Sequence, residues 1–143
     1  VRRAGIIGGV VVAGVALGAY ALGLFGDAPA TSRRGDCYNL GVGEARSPDD
    51  ALGLSTVVYV CDGRRDAAVT HVTLTAKHDD VIGPVFAADR NGGRAPEGPG
   101  EGVEVRVRWT GPRSAVIAHH PAARVVTKTA RLGGVTLGFE AFR

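Results

Sequence analysis

The sequence predicts an all-β fold, a small antiparallel sandwich or barrel-like domain of about seven strands, preceded by one N-terminal transmembrane helix. Three observations carry that expectation. Beyond residue 26 the apolar residues recur at a period of two, the spacing of a strand with one buried face. Turn-forming residues interrupt this alternation roughly every 8–12 residues, as in sandwiches and small barrels. Ahead of both lies an uncharged run, residues 4–26, which is apolar on every side of a helix and so is no amphipathic surface segment.

At about 1.5 Å per residue, that run makes a helix of roughly 34 Å, enough to cross a hydrocarbon layer of about 30 Å. Tyr20 and Phe25 near its far end suit the membrane–water boundary. Arg2 and Arg3 on the short leading flank favour a cytoplasmic N-terminus, although Arg33 and Arg34 beyond the run offer an equal count. The competing reading is a signal peptide cleaved after Ala28-Pro29-Ala30, which would secrete the remainder; the run is longer than the usual apolar region of roughly 7–15 residues. Cys37 follows Arg34-Gly35-Asp36, which argues against a lipoprotein. Both leading readings place the rest of the chain outside the cytoplasm. The domain expectation is therefore an anchor at 1–26 (or an uncleaved signal), a juxtamembrane linker at 27–50 and an extracytoplasmic β domain at 51–143. The pairs Gly5/Gly9 and Gly14/Gly18 would let two such helices approach closely.

The strands follow in order. Beyond residue 26, only residues 48–54 suit a short helical turn. Residues 54–61 form an apolar run rich in β-branched residues around Tyr59, the pattern of a strand buried on both faces. Residues 69–76 alternate, with Val72, Leu74 and Ala76 on the inner face, and 81–88 form a strand interrupted by Gly83-Pro84. Val103, Val105, Val107 and Trp109 alternate with Glu104, Arg106 and Arg108, so the charges face out. Residues 114–118 follow across Thr110-Gly111-Pro112-Arg113, a hairpin connection. Residues 124–130 and 135–142 are expected to pair across Arg131-Leu132-Gly133-Gly134, with Val135, Leu137, Phe139 and Ala141 facing inward. Five glycines and two prolines crowd residues 91–102, which predicts an exposed loop. No helix follows it and it lacks a Gly-Lys-Ser/Thr ending, so a phosphate cradle is disfavoured. Its polar residues Asn91, Arg94, Glu97 and Glu101 are the candidate contact residues.

Charge narrows the partners. Two of the 17 basic residues and none of the 14 acidic ones precede residue 27, so the remainder holds 15 against 14, a net +1. No clustered basic face with interleaved aromatics is present, and nucleic acid is rejected as a partner. Cys37 and Cys61 are the only cysteines, an even pair in a chain expected to be exported, and a structural disulfide is predicted between them. His71, His78 and His119/His120 have no spacing that demands a metal, and His78-Asp79-Asp80 lacks the alternating oxygen ligands of a calcium loop. The four serines sit in no nucleophile elbow, and no carboxylate pair stands in an apolar setting. No catalytic residue, cofactor or metal site is assigned.

One further line of reading comes from a resemblance. Cys37 with Asn39, Ser47-Pro48-Asp49 and the apolar strand ending at Cys61 stand first in its order, followed by Val85-Phe86 with Ala88-Asp89 and by Ala95-Pro96 with Gly98-Pro99-Gly100. Val103-Glu104-Val105-Arg106-Val107-Arg108-Trp109, Pro121-Ala122-Ala123-Arg124-Val125 and Gly134-Val135-Thr136 complete it. In these residues the chain resembles a family of small bacterial membrane-anchored extracytoplasmic proteins of uncharacterised function. It departs by carrying Asp50 where a turn glycine is expected, and Asp62-Gly63-Arg64-Arg65 where a small, Thr-rich stretch is expected. The resemblance implies the anchor, the disulfide and the β domain, and brings no activity with it.

The function expected from these readings is contact without catalysis. The chain would bind an envelope protein or a cell-surface polymer, through the 91–102 loop, while its N-terminal helix sits in the lipid bilayer. An accessory subunit docked into a membrane complex by that helix is the alternative. A metal-binding or hydrolytic enzyme is the third and least supported class.

Overall fold

The computed structural model describes residues 36–142. The expected membrane helix and the candidate cleavage site near Ala30 lie outside the described residues. Those described form nine strands: β1 (Cys37–Arg46), β2 (Leu52–Cys61), β3 (Val69–Ala76), β4 (Val81–Asp89), β5 (Val105–Gly111), β6 (Ser114–His119), β7 (Arg124–Lys128), β8 (Arg131–Leu132) and β9 (Val135–Ala141). They make two sheets, one ordered β1-β2-β3-β4-β7 and the other β5-β6-β9-β8. The all-β expectation holds, with more strands than the seven or so expected.

The first correction concerns β1. Residues 37–46, assigned from sequence to a linker, are a ten-residue strand that pairs antiparallel with β2 from Cys37↔Cys61 to Arg46↔Gly53. It escaped notice because it is a sheet edge. Eight of its ten residues are exposed, so it shows no buried alternation, and its register slips between Gly41 and Gly43. The turn into β2 is not helical. Ser47 accepts the Asp50 N–H on its carbonyl at 2.9 Å and the Leu52 N–H on its hydroxyl at 3.0 Å, and that hydroxyl donates to Asp49 at 2.7 Å. Asp50, standing where the resemblance expects glycine, has φ 57°, a left-handed conformation that Asp tolerates better than most side chains.

The second correction concerns β2, which is buried on one face only. Leu54, Thr56, Val58 and Val60 point into the protein, whereas Tyr59 and Cys61 are exposed. Its neighbour β3 matches expectation at Val72 and Leu74; Ala76, opposite Leu52, is only half-buried, and Thr75 is buried on the other face, over Gly53, which has no side chain to hold it off. The Gly83-Pro84 interruption appears as two irregularities in the β3–β4 pairing.

The third correction is topological. The expected pairing of the last two long strands does not form. Strand β7 pairs with β4 in the first sheet, and β9 crosses to lie parallel to β6 in the second, so the architecture is not wholly antiparallel. The tight turn is shorter than expected. Gly133 (φ 54°) and Gly134 (φ 75°) are both left-handed, the backbone of a two-residue hairpin, and join the short β8 to β9.

The facing sides of the two sheets share one core. Leu54, Val72, Leu74, Val85 and Phe86 from the first sheet meet Ala115, Ile117, Val135 and Leu137 from the second. Each large aliphatic or aromatic side chain so buried contributes about 1.5–3 kcal/mol relative to exposure. Trp109, half-buried, donates its indole N–H to the Ala45 carbonyl at 2.9 Å and ties the second sheet to β1. Phe139 stacks on Phe86 with centroids 5.9 Å apart, while Ala141, expected inside, is exposed.

Candidate contact surfaces

Residues 91–102 are more deeply embedded than their composition suggests. Asn91 (φ 54°), Gly92 and Gly93 turn the chain in the left-handed region, and the Ala95 N–H closes on the Arg90 carbonyl at 3.0 Å. Ala95 is fully buried within the core. Pro99–Glu101 form a single short turn in which the Glu101 N–H bonds the Gly98 carbonyl at 3.3 Å, and the Gly98 N–H donates to the Gly102 carbonyl at 2.7 Å. Gly102 packs so closely that a Cβ there would meet Thr70 Oγ1 and stand 2.7 Å from Val58 Cγ2. Gly98 and Gly102 serve close approach, whereas Gly92 and Gly93, with open space around them, supply the left-handed backbone.

Three of the four candidate contact residues turn back onto the domain. The Asn91 side-chain amide donates to the Ala122 carbonyl at 3.2 Å, and Glu97 lies 3.6 Å from Arg90 Nη1. Glu101 pairs with Arg65 at 3.2 Å and accepts the Tyr38 hydroxyl, a bond that raises the Tyr38 pKa above its ordinary value. Arg94 is exposed. Next to the loop, nearly buried Asp89 receives the Asn91 N–H at 2.8 Å and the Arg124 Nε–H at 3.0 Å. That carboxylate holds the Arg124 guanidinium above its ordinary pKa.

Cys37 and Cys61 form a disulfide directly across the β1–β2 pair, with Cα atoms 4.1 Å apart. The bridge ties the first residue of the described sheet to the end of its second strand. In the chain-entropy picture, closing a loop of this length is worth about 3 kcal/mol.

The histidines are dispersed. His71 lies on the outer face of the first sheet against the edge of Tyr59, centroids 5.0 Å apart, and burial pushes its imidazole below the usual histidine pKa. His119 stacks on core Phe86 at 5.6 Å, and His120 Nδ1 accepts the Ala122 N–H at 3.0 Å, closing the turn before β7. His78 sits in a left-handed turn (φ 67°). Among the described residues, no group of three or more His, Cys, Asp or Glu side chains is placed to hold a metal ion.

The surface that sequence reasoning missed is the outer face of the second sheet. Arg106 and Arg108 stand on β5 opposite Ala118 and Val116 of β6, which in turn stand opposite Glu140 and Gly138 of β9. Two long cationic side chains therefore flank a strip of small ones, and the result is a groove of about 720 Å³, ending at Phe142. Arg106 is held by Glu104 at 2.8 Å and lies 4.3 Å above the centre of the Phe142 ring. Arg108 is exposed and has no ion-pair partner among the described residues. The alternation of Arg106 and Arg108 with valines was legible as a solvated face. What the sequence did not show is that β6 and β9 supply a small-residue floor beside it.

The described residues thus define an all-β, disulfide-bonded, two-sheet domain. No known protein family, curated protein or solved structure matches the chain.

Proposed function

We propose that this chain is a membrane-tethered, extracytoplasmic binding domain that acts by contact and not by chemistry. In this reading residues 36–142 are a small sandwich held outside the cell membrane by the apolar helix at 4–26, and the partner is an envelope protein or a cell-surface polymer. The observation that carries the reading is the Cys37–Cys61 bridge, because a structural disulfide persists in oxidising compartments and is rare in the cytosol. The apolar run and its Arg2-Arg3 flank supply the matching topology, and the resemblance to small membrane-anchored bacterial proteins points the same way.

The test is made in intact cells. Both sulfurs are expected to resist thiol alkylation until a reductant is added, and externally applied protease is expected to digest the C-terminal domain. Free thiols together with protection from protease would overturn the reading. Crosslinking in the native membrane, followed by identification of the captured neighbour, then names the partner.

A further inference from the structure

We infer that the groove over β5, β6 and β9 is the binding site of the domain, and that its occupant is a carboxylate-bearing polysaccharide strand. The inference rests on the extracytoplasmic contact role proposed above and gives it a place and a ligand class.

The walls stand on β5 and β9, two strand spacings or about 10 Å apart, which admits one extended polymer chain. The floor is Val116 and Ala118, apolar and short, and so accepts the apolar face of a sugar ring without stranding a polar group. Along one wall Arg106 and Arg108 alternate on the strand, about 6.8 Å apart; Arg106 is held by Glu104 and lies over Phe142, and Arg108 presents the guanidinium with no ion-pair partner among the described residues. A guanidinium holds a carboxylate through paired, charge-assisted hydrogen bonds. Glu140 on the opposite wall repels the same groups. A chain laid in the groove therefore turns its carboxylated edge toward β5. Arg131 on β8 shares this face at its far end, being paired with Thr136, which stands opposite Ser114.

An acidic peptide fits less well. Extended peptides gain affinity by adding to an open sheet edge, but the strand beneath this groove, β6, is already paired on both sides, with β5 and with β9. A peptide lying over it would find no backbone partners, whereas a polysaccharide needs none.

The test uses the full chain in detergent micelles and polygalacturonate as the probe, with neutral dextran and poly-L-glutamate for comparison. Binding to polygalacturonate is expected, to weaken with added salt, and to fall about tenfold in Arg108→Gln, the loss of one charge-assisted pair. Glu140→Gln is expected to tighten it a few-fold, and Arg94→Gln in the 91–102 loop to leave it unchanged. The exchanged side chains at 94 and 108 are exposed, so the thermal midpoints of those variants should match that of the parent chain. Equal binding of dextran, binding of poly-L-glutamate alone, or an undiminished affinity in the Arg106→Gln/Arg108→Gln double variant would each overturn the inference. Membrane crosslinking of that double variant separates the two levels: neighbours captured without polyuronate binding overturn the groove alone, whereas loss of both in the parent chain overturns the contact role too.

Discussion

The 91–102 loop and the outer face of β5, β6 and β9 are built from similar side chains, with arginines and glutamates set beside small or apolar residues. They differ in where the charges are directed. In the loop, Glu97 and Glu101 are taken up by Arg90 and Arg65, and Ala95 and Gly102 are pressed into the core. On the sheet face, strand geometry sends Arg106 and Arg108 outward; Arg106 is held by Glu104 and Phe142, while Arg108 faces only valine on β6 and has no ion-pair partner among the described residues. An irregular backbone in a small protein must satisfy its own polar groups, and nearby charged side chains are drawn into that task. A regular strand satisfies its backbone through the ladder and leaves its outward side chains available. Glycine content is thus a poor guide to an available surface, and a charged alternation on a strand is a better one.

That contrast can be broken or sharpened by substitution. The largest effect is expected at the end of the domain that carries the loop, where Cys37→Ser/Cys61→Ser removes the bridge and should lower unfolding free energy by about 3 kcal/mol, read as a fall in denaturant midpoint. Hydrogen exchange should rise first in β1, whose pairing within the sheet is with β2 alone, while β5, β6 and β9 stay protected. Equal loosening of both regions would erase the distinction between them.

A pair of glycines gives the next contrast. Gly102→Ala drives a methyl against Thr70 and Val58 and should cost about 1–3 kcal/mol through overpacking. Gly138→Ala on the sheet face meets Val116 Cγ2 at 3.6 Å, an ordinary contact, and should shift stability by no more than about 0.5 kcal/mol. Thermal midpoints of the two variants side by side decide this. A neutral Gly102→Ala would mean that the loop is not packed as described.

Smaller effects report on single groups. Glu101→Ala should return the raised Tyr38 phenol toward its ordinary pKa, a change read by ultraviolet or NMR titration. An unchanged titration would show that Glu101 does not hold that hydroxyl. His71 gives the mildest signal. Burial lowers its pKa below the ordinary 6.5, so the unfolded chain takes up the proton first. Its contribution to stability is therefore complete above that ordinary value and declines as pH falls through it toward the lower folded-state pKa. His71→Gln should flatten this part of the profile, measured as denaturant midpoint between neutral and mildly acidic pH.

The strands most legible in the sequence were those with one clearly buried face. Val72 and Leu74 in β3, Val103 to Trp109 around β5, and Val135 and Leu137 in β9 face the core as their alternation predicts. Strand β1 was not legible, since an exposed edge writes no apolar period. Thr75 is buried on the outer side because Gly53, its partner on β2, leaves room over it, a cross-strand relation that no local pattern records. The candidate site was half legible. Arg106 and Arg108 could be placed on an outer face, but Ala118, Val116 and Glu140 became their neighbours only through pairing.

By itself the sequence determined that the described residues are all-β, that Cys37 and Cys61 would be joined if the chain is exported, and which face of β3, β5 and β9 is apolar. Those properties follow from the side-chain period of an extended chain and from cysteine count, and need no knowledge of partners. Only the tertiary structure decided that β7 joins β4, that β9 runs parallel to β6, and that two arginines overlook a floor of small residues. Alternation tells a strand which side to bury but not against which neighbour to lie. That choice is made by the whole core at once, through the fit of Phe86, Ile117, Leu137 and the side chains around them.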